Sequence, residues 1–203
     1  MQLDLLGEIA PVQFRSIETT AKQLEAFETP RWAAIAGLKA VPLQKRILDP
    51  CVGRGMLAGR AIEAGHEVRT ADIYPWEYEG DRQIVDFLSP DADKLVEGWE
   101  EGSFDVFVNP PFSMACDFID RSLELGARKS MCFQRFAWLE AGTRRKWWDK
   151  SCCKTVYVCA RRATCWGFHI DPEDRVSSTP TAHAWFEFDR DWSGPPTLKR
   201  LYD

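Results

Sequence analysis

The 203-residue chain contains no run of eighteen apolar residues and no basic stretch leading into an apolar one at its start, so neither a membrane span nor a secretory leader is expected. Its seven cysteines (Cys51, Cys116, Cys132, Cys152, Cys153, Cys159 and Cys165) are odd in number and include no Cys-x-x-Cys pair. That pattern points to reduced thiols in a cytoplasm, and it argues against a zinc site made of Cys159, Cys165 and His169. Internal repeats, low-complexity tracts and linker-like Pro/Gly/Ser stretches are missing as well. With nothing to divide it, the chain is expected to form one domain over residues 1–203.

A surplus of basic residues is also lacking, since the formal net charge is −5. Taken alone this disfavours a nucleic-acid partner, whose phosphates need Lys and Arg. The distribution reverses the argument: residues 121–162 hold 11 basic and 3 acidic side chains, against 11 and 21 in residues 1–120. Arg128-Lys129, Arg144-Arg145-Lys146 and Arg161-Arg162 are interleaved there with Phe136, Trp138, Trp147, Trp148 and Tyr157. Such a segment suits a polyanion, and it equally suits a solvated helix face over Arg144 to Lys150.

Strand-like and helix-like segments alternate along the chain. Thr29-Pro30 opens a helix to about Leu38, and Lys45–Asp49 reads as a strand. Met56–Ala64 is a helix stopped by Gly65, followed by strands at Glu67–Ile73, Gln83–Phe87 and Phe104–Val108. Met114–Leu125 carries apolar residues at helical spacing up to Gly126, and Ser130–Phe136, Thr155–Cys159 and Ala182–Phe188 read as later strands. This alternation predicts an α/β fold, a mostly parallel sheet with helices on both faces. Ligands bind at the carboxyl ends of such strands, which would put Asp49, Asp72, Asp86 and Asn109 on one rim.

The first predicted strand ends in Asp49-Pro50-Cys51-Val52-Gly53-Arg54-Gly55, where glycines let the backbone turn sharply and approach a ligand. Gly53-x-Gly55-x-x-Ala58, with Asp72 nineteen residues beyond Gly53, satisfies a loose dinucleotide fingerprint. Asp49 points elsewhere, because a carboxylate there repels a pyrophosphate and can hold an ammonium group. S-adenosylmethionine carries that ammonium and no phosphate.

Phe104 to Phe112 is the most specific stretch. Asn109-Pro110-Pro111-Phe112 follows a buried-type strand, and the paired prolines fix the backbone and keep their carbonyls out of a helix. An exocyclic amine on a ring is a poor nucleophile because its lone pair is delocalised. The Asn109 side-chain oxygen and the Pro110 carbonyl, accepting its two hydrogens, would draw the nitrogen toward sp³ geometry. Asn109 is neutral and orients the amine without serving as a base, while Phe112 offers a flat surface for the ring.

These motifs resemble those of the amino-methyltransferases of the Rossmann-like, S-adenosylmethionine-dependent superfamily, in particular DNA adenine N6-methyltransferases. The resemblance implies a class I methyltransferase fold with a late antiparallel strand. It places Thr29 and Pro30 beside the methionine part of the cofactor, and Asp49, Pro50, Cys51, Gly53 and Gly55 in its loop. Asp72 and Ile73 would serve the ribose end, and Asp86 and Phe87 the adenine. Asn109 to Phe112 matches the family's Asp/Asn/Ser-Pro-Pro-aromatic motif. Gln134 to Glu140, Val156 to Arg162 and His183 to Phe188 are similar to small phage-type members, which implies a bacterial or phage-infected cytoplasm and DNA as partner. The family's base-stacking aromatic after the Arg pair is replaced here by Ala163 to Phe168, so that role passes to Trp166 or Phe168. Arg144, Arg145 and Lys146 would contact phosphates. No separate target-recognition domain is expected, so sequence choice falls to loops around 74–82 and 163–181 or to a partner, or is weak. The same chemistry on cytosine N4, RNA or a glutamine amide is the alternative, as is a non-catalytic cofactor-binding subunit.

Overall fold

The computed structural model describes residues 17–140, 142–175 and 180–202, and part of the 163–181 loop lies outside them. An eight-stranded sheet runs β10-β7-β9-β6-β5-β2-β3-β4. Its strands are β2 Arg46–Asp49, β3 Glu67–Asp72, β4 Gln83–Ile84, β5 Phe104–Val108, β6 Lys129–Arg135, β7 Cys153–Cys159, β9 His183–Asp189 and β10 Thr197–Leu201. Two further short strands, β1 Phe27–Glu28 and β8 Trp166–Gly167, pair antiparallel with each other. The helices are α1 Ile17–Gln23, α2 Arg31–Ala40, α3 Met56–Glu63, α4 Ala115–Glu124 and α5 Arg145–Trp148. Within the eight-stranded sheet, β9 alone of the described strands runs against its neighbours, wedged between β6 and β7.

The alternation of side chains along each strand divides the core into two layers. Phe104, Val106 and Val108 of β5 pack with Leu48, Cys132, Phe186 and Phe188 against Phe118 and Ile119 of α4. On the opposite face Phe107, Ile47, Met131, Phe133 and Trp185 meet Ala33 and Ala36 of α2 and Leu57 and Ala61 of α3. The central strands β2, β5, β6 and β9 thus bury both faces. This is why the sequence shows nearly continuous apolar runs there.

Several elements depart from the sequence reading. The expected Gln83–Phe87 strand is only two residues long, because Asp86 folds back, its carboxylate accepting the Leu88 N–H at 2.9 Å. The basic helix shrinks to the four residues of α5. Its tryptophans pack as core: Trp138 stands edge-on to Phe186 at 5.2 Å and to Trp148 at 4.8 Å, and Trp147 and Trp148 close over the same layer. Their faces are therefore spent on the fold. The edge strand β10 was not expected at all, since four of its five residues are exposed and no apolar pattern marks it.

One helix glycine has a steric reason. A Cβ on Gly37 of α2 would come within 2.5 Å of the Trp185 ring, and that indole is fixed by donating to the Ala33 carbonyl at 2.9 Å. Gly37→Val is expected to lower stability by about 1–3 kcal/mol through overpacking. Urea unfolding checks this, and an unshifted midpoint would show that Trp185 can yield.

Candidate cofactor and amine site

The carboxyl ends of β2, β3 and β5 open on a cleft of about 170 Å³. Gly53 and Gly55 have φ of 55° and 85°, the left-handed region that suits glycine. A side chain at Gly53 would strike the Phe168 ring at 2.8 Å, and one at Gly55 the Tyr78 ring at 2.4 Å. The loop is braced from β3, where the Asp72 carboxylate accepts the Gly53 N–H at 2.8 Å and the Tyr74 N–H at 3.0 Å. Burial raises the Asp72 pKa, and these donors act against that rise.

The cleft brings together Thr29, Pro50, Cys51, Gly53, Asp72 and Ile73 of the anticipated cofactor residues, and beyond them Asp86 and Phe87. Phe87 is buried with its ring 5.1 Å from that of Phe118. Pro30 instead caps the start of α2, and Gly55 caps α3. Asp49 does not reach the cleft surface: it is 1% exposed beneath the loop. Its Oδ2 has no hydrogen-bond partner, and neither has Thr29 Oγ1.

Burial pushes the Asp49 carboxyl up to about 8, the Asp72 charge adding to the effect. An unfolded Asp ionises near pH ~4, so above that pH the fold keeps a proton that the unfolded chain has lost. Stability then falls as pH rises from about 4 to about 8. Burial and the Arg135 charge push His183 down to about 4. It therefore acts in the opposite sense, but only below about pH 6.5, where an unfolded His is charged. Between pH ~6.5 and ~8 the loss due to Asp49 is free of that opposition. Asp49→Asn is neutral throughout and is expected to flatten this part of the stability–pH curve. An unchanged slope in urea titrations would mean that Asp49 is ionised in the fold.

At the end of β5, Asn109 is oriented by one contact: its Nδ2 donates to the Phe27 carbonyl at 3.0 Å. Of the two amide atoms only the nitrogen can donate to that carbonyl, so the amide cannot be turned round. Asn109 Oδ1 is left buried without a partner. The Asn109 carbonyl accepts the Cys51 thiol hydrogen at 3.3 Å, tying the two loops together. Pro110 is buried, and Pro111 lines the cleft. The expectation that both prolines keep their carbonyls free is corrected, because the Pro111 carbonyl accepts the Met114 N–H at 3.0 Å as the chain enters a 3-10 turn. Phe112 stacks on Phe27, centroids 5.3 Å apart and planes 20° from parallel, with the Arg135 guanidinium 4.4 Å from its ring.

Of the anticipated substrate residues only Phe168 lines the cleft among the described residues. Arg144 donates to the Trp138 carbonyl at 2.7 Å, whereas Arg145 and Lys146 are exposed on α5; none of the three lines the cleft. Phe168 lies over the glycine loop, edge-on to Trp76 at 5.0 Å. Trp166 is half-buried in the small sheet opposite Glu28. Phe27 and Arg135 went unnoticed in the sequence, where no periodic pattern distinguishes them.

No protein-family model matches the chain, and no curated protein matches its sequence. Solved structures do resemble it. A type I restriction-modification methyltransferase subunit from Streptococcus thermophilus aligns with TM-score 0.54 and 12% identity over 91% of this chain. The alignment takes in 52% of that subunit, about half its length. A predicted O-methyltransferase from Agrobacterium tumefaciens aligns with TM-score 0.51 and 12% identity over 83% of each chain. The 23S rRNA methyltransferase ErmE aligns with TM-score 0.50 and 12% identity over 82% of this chain and 70% of its own. The fold is that of the Rossmann-like class I methyltransferases, with one antiparallel strand set between the last parallel ones.

Proposed function

We propose that the chain transfers a methyl group from S-adenosylmethionine to an exocyclic amino nitrogen, N6 of adenine in DNA. The observation that carries this reading is the unpartnered Asn109 Oδ1, a buried acceptor held at the cleft by the Phe27 carbonyl. A buried acceptor without a donor costs about 1–3 kcal/mol, a cost that an amine hydrogen would remove.

The residues around the cleft fit the cofactor. Gly53 has no side chain to obstruct it, and Thr29, which lines the cleft with an unpartnered Oγ1, offers an acceptor to an ammonium group, whereas the buried, protonated Asp49 does not. Asp72 and Asp86 both line the cleft, and they would serve the ribose and the adenine amine respectively. S-adenosylmethionine, when bound, supplies an electrophilic methyl on a sulfonium. Asn109 Oδ1 and the Pro110 carbonyl take the two hydrogens of the target amine and turn its lone pair toward that methyl. No residue here need act as a base, since the proton leaves to solvent once the nitrogen is alkylated.

DNA as substrate is supported by the motif resemblance and by the exposed cations Arg135, Arg145, Lys146 and Arg162 within the basic segment. An amine inside a duplex is reached only by flipping the base out or by using a single strand. The test is to supply labelled S-adenosylmethionine with DNA, RNA and protein separately. Label in DNA is expected. Label in RNA or in a glutamine amide would keep the chemistry and change the substrate, and label in none would leave a non-catalytic cofactor-binding subunit.

A further inference from the structure

We infer that Phe27 is the second aromatic wall of the target site, so that the ring carrying the amine is held between Phe27 and Phe112. This rests on the reading of Asn109 as the amine acceptor. Phe27 already lies on Phe112 as a flat ligand would, with centroids 5.3 Å apart and planes within 20° of parallel. It also lines the cleft together with Asn109 and Pro111, and its own carbonyl holds Asn109 in the orientation that frees Oδ1. A ring stacked on Phe112 would thus share the cleft with that oxygen.

The other aromatics lie at the cofactor-loop end of the cleft or in the core, and Trp76 and Phe168, which also line the cleft, are edge-on to each other at 5.0 Å. Phe168 covers the cofactor loop, and Trp138, Trp147 and Trp148 are built into the core. Trp166 belongs to β8, where it is paired with Glu28.

Phe27 is half-buried on a strap that roofs the cleft with residues 23–29. The cleft's 170 Å³ falls below the about 300–1,000 Å³ of most ligand sites. The strap backbone is held by two residue pairs to β8, by the Phe168 N–H on the Ala26 carbonyl at 2.9 Å, by Arg175 on Glu28 at 3.2 Å and by Asn109 on the Phe27 carbonyl. Glu25 joins it to the catalytic turn, its carboxylate accepting the Ser113 N–H and hydroxyl, each at 2.8 Å. Ser113 is exposed, so water can replace both bonds at small cost. Two rings in an offset stack leave no gap for a third, so the Phe27 side chain must swing aside to admit the substrate while its backbone carbonyl stays on Asn109. Until then it occupies the substrate's place on Phe112.

The test compares Phe27→Leu with Phe27→Tyr in the full chain. Both keep the backbone carbonyl that orients Asn109, but only Tyr keeps a flat face. With DNA as methyl acceptor, Phe27→Leu is expected to raise KM by about 5- to 150-fold, the fold-change that corresponds to about 1–3 kcal/mol of base–aromatic stacking. Its affinity for S-adenosylmethionine and its unfolding midpoint should match those of the wild type, and Phe27→Tyr should restore KM. Wild-type KM in Phe27→Leu, or equal impairment in Phe27→Tyr, overturns the inference while leaving the amine reading intact. Should Phe27→Leu fail to fold, Phe27→Met serves in its place under the same criteria. A wild-type chain that methylates nothing overturns both, and one that methylates only a protein amide, which has no ring to stack, overturns the sandwich.

Discussion

Asn109→Ala is expected to reduce methyl transfer by about 10²–10³-fold, the usual consequence of removing one pre-oriented polar group from a reacting centre. Affinity for S-adenosylmethionine should be unchanged, because the loop that would hold the cofactor is braced by Asp72 and by the Asn109 backbone carbonyl, which Ala retains, and not by the Asn109 side chain. The variant also loses the bond from Nδ2 to the Phe27 carbonyl, worth about 0.5–1.5 kcal/mol, so a small fall in stability accompanies the loss of activity. Asn109→Asp separates the two effects. It retains an acceptor oxygen but sets another against the Phe27 carbonyl, where nitrogen had donated. Intermediate activity is expected from it. Steady-state kinetics and cofactor titration on the three proteins check the series, and an active Asn109→Ala would remove this residue from the mechanism.

Lys129→Met is expected to have the largest effect on stability, a loss of about 3–5 kcal/mol. Lys129 and Glu187 are 4% and 2% exposed, and Lys129 Nζ lies 2.7 Å from Glu187 Oε1 and 3.7 Å from Asp189 Oδ2. The Tyr157 hydroxyl donates to Glu187 Oε2 at 3.1 Å. Removing the cation strands a buried carboxylate with only that phenol for support. A fold of this kind is stable by about 5–15 kcal/mol, so the variant retains a reduced margin. Replacing both partners, as in Lys129→Met with Glu187→Leu, should recover most of the loss, since matched apolar groups often equal a buried ion pair. Denaturant unfolding tells the cases apart. A single variant as stable as the wild type would mean that water reaches Glu187.

The cluster around Lys129 shows what the sequence could not disclose. Lys129 reads as one more member of a basic segment, yet its partner is 58 residues away on an antiparallel strand. Phe27 is similar. Nothing local marks it, and its importance comes from contact with residues 82 and 85 positions further on. Trp147 and Trp148 misled because a tryptophan beside arginines suits either a nucleic acid or a core, and only packing decides between them. Strand β10 was hidden because its side chains are mostly in solvent.

By contrast, β5 and the turn after it were legible, since five buried residues in succession followed by two prolines permit little except a central strand stopped at the rim. Gly53 and Gly55 were legible for the same kind of reason, a backbone requirement stated by the residue itself. Local constraints of this sort carry the fold and the rim of the cleft. Which side chains complete the site depended on long-range pairing.

The account stands most directly on which atom receives the methyl group. Incubating the chain with DNA and S-adenosylmethionine bearing a deuterated methyl, then digesting to nucleosides for mass spectrometry, answers this. The account predicts label on the N6 amino nitrogen of adenine. Label on a ring carbon or an oxygen, or none in DNA, RNA or protein, would contradict it.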